Sequence, residues 1–136
     1  MIFITGPMFS GKEAYIRNAL KLSKEEFDRR AVRDAQALIE GSRAPQALQE
    51  GAEDSRLLPE VRGSEQGDLA ALADSLARYE IVIAAEIGGG VVPIDREERL
   101  YRERAGRLAC LLAERADTVI RVCCGLPQLL KGQWPS

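Results

Sequence analysis

The first thirteen residues restrict this chain more than any later stretch does. A short apolar run, Ile2-Phe3-Ile4, passes through Thr5 into Gly6-Pro7-Met8-Phe9-Ser10-Gly11-Lys12-Glu13. Ala14, Ile16, Ala19 and Leu20 then recur at helical spacing. Two glycines flanking four residues, a lysine directly after, a strand before and a helix behind: this is the spacing of a phosphate-binding loop. Glycine lets the backbone curl until several amides point at phosphate oxygens. The helix adds its positive amino end, and the lysine reaches the outer phosphates. Gly6, Pro7, Ser10, Gly11, Lys12 and Glu13 are therefore candidate nucleotide-binding residues, and Lys12 is also a candidate catalytic residue. The rival reading is a glycine turn followed by a surface lysine.

Two further segments read clearly. Ile81-Val82-Ile83-Ala84-Ala85 is a continuous apolar run, as expected of a strand covered on both faces. Glu86 stands at its carboxyl end, before the loop Ile87-Gly88-Gly89-Gly90-Val91-Val92-Pro93. The helix that follows has Asp95 and Glu98 as a capping pair and Tyr101, Ala105, Leu108 and Leu112 along one face. Thr118 to Cys123 reads as a third strand, ending before Gly125. Strand, helix and strand in this order argue for a parallel sheet. The expected fold is α/β: a P-loop NTPase-like three-layer sandwich, with a small, mainly parallel sheet flanked by helices. At 136 residues the chain is expected to form a single nucleotide-binding domain, 1–136. The stretch 24–68 reads as an irregular, mobile excursion broken by Gly41-Ser42, Pro45, Gly51, Pro59 and Gly63-Ser64. Within it, Ala31 to Glu40 is expected to be a helix and one short strand is allowed for. A further helix is expected over Asp68 to Tyr79.

Composition narrows the partners. The net charge is −2 and aromatic residues make up 5%, so neither a basic face nor a stacking platform for nucleic acid is expected. The opening apolar run is too short for a signal peptide or a membrane span, and the three cysteines, Cys110, Cys123 and Cys124, suit no disulfide framework. A cytoplasmic location is expected. The chain has no histidine, which removes that residue as base, metal ligand or covalent nucleophile.

Glu13 occupies the position where a phosphate loop ordinarily carries the Ser or Thr hydroxyl that binds Mg²⁺. A carboxylate can ligate Mg²⁺, yet it also faces the triphosphate. Like unit charges about 4 Å apart repel by ~1 kcal/mol in water and ~4 kcal/mol at an effective dielectric near 20. The other reading turns Glu13 outward as a first-turn acid favoured by the helix dipole. Glu86 has three readings: a Mg²⁺ ligand through water, a general base, or a loop carboxylate. Gly88 and Gly90 would let the backbone approach a substrate closely. Arg99 and Arg107 are the arginines of the late helix proposed to reach substrate phosphates, although most of that helix reads as a solvated face of paired charges.

The residues from Glu86 to Pro93, with Arg96, Arg99, Arg102, Ala105-Gly106-Arg107 and Ala116-Asp117, resemble the bifunctional adenosylcobinamide kinase and adenosylcobinamide-phosphate guanylyltransferase family. That family also begins with a strand and a P-loop, and ends in a strand followed by Gly and Lys, as Gly125 and Lys131 do here. The resemblance covers about the first 22 residues and Arg78 to Lys131. It implies a nucleoside triphosphate, ATP or GTP with Mg²⁺, and a corrinoid, adenosylcobinamide, whose hydroxyl receives the γ-phosphoryl group. It also implies a homo-oligomer. The family's second step, GMP transfer, runs through a histidine, and this chain has none. The family's Asn-Gln after the Gly-Arg of the helix is replaced by Ala109-Cys110, and the segment between the first helix and Asp68 is short. The expected function is cobinamide-kinase-like phosphoryl transfer without guanylyl transfer, with a non-catalytic nucleotide- or corrinoid-binding module as the alternative.

Overall fold

A computed structural model describes residues 1–39, 66–87 and 95–136. In chain order the elements are β1 (Ile2–Gly6), α1 (Lys12–Leu20), α2 (Lys24–Arg30), β2 (Ala31–Val32), a 3-10 turn (Ala35–Leu38), α3 (Gln66–Leu76), β3 (Ile81–Ala85), α4 (Arg96–Arg115), β4 (Thr118–Cys123) and β5 (Leu126–Lys131).

Strand alternation explains the layers. In β1, Phe3 points to one face and Ile4 to the other; in β3, Val82 and Ala84 alternate with Ile81 and Ile83. Phe3, Val82, Ala84 and Val119 pack under α3 and α4, against Leu72, Leu76, Tyr101, Leu108 and Leu112. Ile4, Ile81, Ile83, Ile120 and Val122 pack under α1 and α2, against Ile16 and Phe27. Helices thus cover both faces, and every residue of β3 is buried. The strands run in the order β2-β3-β1-β4-β5. The first four are parallel, with Ile2 opposite both Ile81 and Thr118 and with Ala31 opposite Ile81. This is the three-layer α/β arrangement expected from the sequence.

Three local expectations change. Ala31 to Glu40 does not form a helix over its described part, 31–39. The helix comes earlier, as α2, because Ser23 and Glu26 form a reciprocal capping box at its start. It stops at Ala31, which turns extended so that Ala31-Val32 can pair with Ile81-Val82. Asp34 then takes a left-handed conformation at φ 51 and opens the 3-10 turn. The rest of the excursion, 40–65, lies outside the described residues. The second change is β5, a strand the sequence reading missed. Cys124 and Gly125, both at positive φ (54 and 76), make a two-residue hairpin turn that returns the chain antiparallel to β4. Pro127 is tolerated there because β5 is an edge strand. The third changes only in part: Asp95 caps α4 as expected, and its carboxylate accepts from the amide of Glu97 at 3.0 Å, two residues on and not the three of a capping box. All four residues read as its buried face, Tyr101, Ala105, Leu108 and Leu112, are buried.

Candidate nucleotide site

The loop between β1 and α1 lies at the carboxyl end of the parallel strands, where ligands of such sheets bind. Gly6 has φ 147, and a Cβ there would sit 2.1 Å from the carbonyl oxygen of Val122. Gly11, at φ 87, caps α1 from the left-handed region. Both turns therefore depend on glycine. The loop is also tied from outside. Gly6 O accepts from the amide of Glu86 at 2.8 Å, and Ser10 O accepts from the amide of Gly125, in the β4–β5 turn, at 2.8 Å.

Lys12 is folded back over this loop. Its Nζ donates to Pro7 O at 2.6 Å and to Gly6 O and Ser10 Oγ at 3.4 Å each. The residue is 9% exposed. Burial lowers its pKa, while the nearby Asp34 and Glu86 carboxylates partly restore it. An ammonium taken out of water and held by neutral oxygens is a group that an anion would stabilise. Phe9, at the loop apex with φ 58, is 99% exposed.

The two candidate carboxylates flank the loop, and each is engaged. Glu13 is gripped by Arg33: Nε donates to Oε2 at 2.7 Å and Nη2 to Oε1 at 2.9 Å. Arg33 also pairs with Asp28 at 2.6 Å and lies over the Phe27 ring, 4.6 Å from its centre. Arg17 approaches Glu13 at 3.8 Å. The hydrogen bonds from Arg33 hold the Glu13 pKa below its ordinary value, and those to Glu13 raise that of Arg33. Glu86 is held the same way by Arg121, Nε to Oε1 at 2.6 Å and Nη2 to Oε2 at 3.0 Å.

Sequence reasoning missed four residues here. Arg33 and Asp34 fell in the stretch read as helix. Gln36, 1% exposed, accepts the amide of Ala85 on its Oε1 at 2.9 Å, and its carbonyl takes the Tyr101 hydroxyl at 3.4 Å. It ties the 3-10 turn to the end of β3 and to α4. Arg121 had a legible signal: it is the one charged residue within the strand Thr118 to Cys123. Of the proposed substrate residues, Arg99 and Arg107 lie on α4 and are exposed. Gly88 and Gly90 lie outside the described residues. Gly6, Pro7, Ser10, Gly11, Lys12 and Glu13 are brought together with Glu86 at one end of the sheet.

The family model described as Cobinamide kinase / cobinamide phosphate guanyltransferase matches residues 46–130. That span runs from before α3 into β5 and takes in Glu86 and Arg121. The chain belongs to this family. Membership carries with it the P-loop NTPase superfamily, a role in cobalamin biosynthesis, and the use of a nucleoside triphosphate. The matched span begins after the phosphate loop, so Lys12 and Glu13 stand on the structure and the sequence motif, and Arg33 on the structure alone. A comparison with curated proteins finds no match. Among the described residues no helix is long and apolar enough to cross a membrane.

Proposed function

We propose that this chain is a cobinamide-kinase-like phosphotransferase that moves the γ-phosphoryl group of ATP or GTP to the hydroxyl of adenosylcobinamide, without GMP transfer. The observation that carries this reading is Lys12, buried over a glycine-shaped loop on neutral acceptors. Phosphate oxygens would replace those acceptors with charged ones, a stronger partner for the ammonium. The loop amides and the start of α1 supply the rest of the anion site. The acceptor oxygen bonds to the γ-phosphorus as the bond to the β–γ bridging oxygen breaks, and the nucleoside diphosphate leaves. Positioning and charge neutralisation are the protein's main contributions to such a transfer. Glu86 is the candidate to take the hydroxyl proton once released from Arg121. Gly88, Gly90, Arg99 and Arg107 are the candidates to hold the corrinoid side. A chain without histidine has no route through a guanylylated histidine. A cytoplasmic homo-oligomer remains part of this reading.

One observation favours a second reading, a nucleotide-binding module without catalysis: both carboxylates near the loop are occupied by arginines. Labelled ATP or GTP with adenosylcobinamide, on wild type and Lys12→Ala, separates the two. Phosphorylated product from wild type alone supports the kinase. Nucleotide bound in calorimetry with no product from any corrinoid supports the module. Turnover that survives Lys12→Ala removes the phosphate-loop assignment altogether.

A further inference from the structure

A triphosphate ordinarily carries Mg²⁺ held by one or two carboxylates, and the sequence offers Glu13 and Glu86 for it. The donor set does not fit that ion. Both oxygens of Glu13 accept from Arg33, and both oxygens of Glu86 accept from Arg121. The residue that departs from the usual loop, Glu13, is also the one with the most elaborate partner. Its arginine is shared with Asp28 and backed by the Phe27 ring.

We propose that the two carboxylates are withdrawn from metal binding at this loop, Arg33 cancelling Glu13 and Arg121 cancelling Glu86, so that the affinity for a triphosphate does not depend on magnesium. The proposal rests on the reading of the loop as a nucleotide site. With Arg33 in place, the acid that follows Lys12 no longer repels the phosphates. Arg33 is thus a positioning residue that acts through Glu13.

The test is calorimetric titration of the full chain with ATP, in Mg²⁺ and again in EDTA. Affinities within about threefold of each other are expected, a difference of less than one decade in the dissociation constant. Arg33→Met should weaken ATP binding about tenfold or more, because it leaves Glu13 with only the longer approach of Arg17 at 3.8 Å. Glu13→Ser combined with Arg33→Met should recover most of that loss. A purely structural Arg33 would not be rescued by a variant that also lacks its partner. Binding ten times tighter in Mg²⁺ overturns the proposal, and loss of that gain in Asp34→Asn would make Asp34 the metal ligand instead. Unchanged affinity in Arg33→Met overturns it too. If Arg33→Met does not fold, the wild-type comparison in Mg²⁺ and EDTA still decides. No ATP binding in either condition removes the nucleotide reading, and this proposal with it.

Discussion

The two carboxylate–guanidinium forks beside the phosphate loop are close in geometry and different in setting. Glu86–Arg121 joins the ends of β3 and β4, two strands that flank β1, and both residues lie within the span that matches the family. Glu13–Arg33 joins the first turn of α1 to the segment after β2, outside that span. It is buttressed by a second carboxylate and by an aromatic ring. The first fork follows from the sheet, because the parallel strands β3 and β4 lie on either side of β1 and run in the same direction. The second depends on a substitution and on a compensating residue twenty positions away. A charged side chain placed against the usual pattern of a loop is tolerated when the fold supplies its counter-charge.

The largest effect should come from a change that strikes one fork and spares the other. Gly6→Ala would push a Cβ into the Val122 carbonyl, 2.1 Å away, at a φ of 147. A cost of about 3 kcal/mol is expected from overpacking and backbone strain together. Val122 follows Arg121 directly, so the Glu86 fork should be disturbed while Glu13–Arg33 persists. Urea unfolding gives the first quantity. The chemical shifts of the two arginine Nε–H groups give the second.

Arg33→Met should follow, at about 2 kcal/mol, from the loss of two ion pairs and a cation–π contact. Arg121→Met should move the same denaturation midpoint less. Equal effects would mean that the ring and Asp28 add nothing to the Glu13 fork. Ser23→Ala is expected to cost about 1 kcal/mol by removing the capping box of α2. Because α2 carries Phe27 and Asp28, the variant should also loosen Arg33, and Arg121 should not respond.

Acid titration gives the smallest effect. The Glu13 pKa is lowered in the fold from an ordinary value of 4.5. Its contribution is therefore fully present above that value and lost as pH falls through the lower folded one. Glu13→Gln should be less stable than wild type by on the order of 0.5 kcal/mol near neutrality, after allowance for solvent screening. The gap should close in acid. A gap independent of pH would assign it to packing instead.

What could be read in the sequence was local. The phosphate loop, the buried run of β3 and the Tyr101–Leu112 face of α4 each announce themselves through spacing within one element. The capping box at Ser23-Lys24-Glu25-Glu26 was equally legible and went unread. β5 was hidden by Pro127 and by a turn, Cys124-Gly125, whose first residue is not one of the usual turn formers. Both forks were out of reach for a different reason: they join residues far apart in sequence, and no periodicity encodes such a pairing. Arg33 was harder to see than Arg121, because its segment had been given to the wrong element.

The bond from the Gly125 amide to Ser10 O has a consequence for the order of assembly. The phosphate loop is specified at the start of the described chain, yet the hairpin that braces it is near the end. Contacts so distant along the chain form slowly, since the intervening loop entropy must be overcome before they are rewarded. The anion site should accordingly mature no earlier than the pairing of β1 with β4, which joins residues equally far apart along the chain.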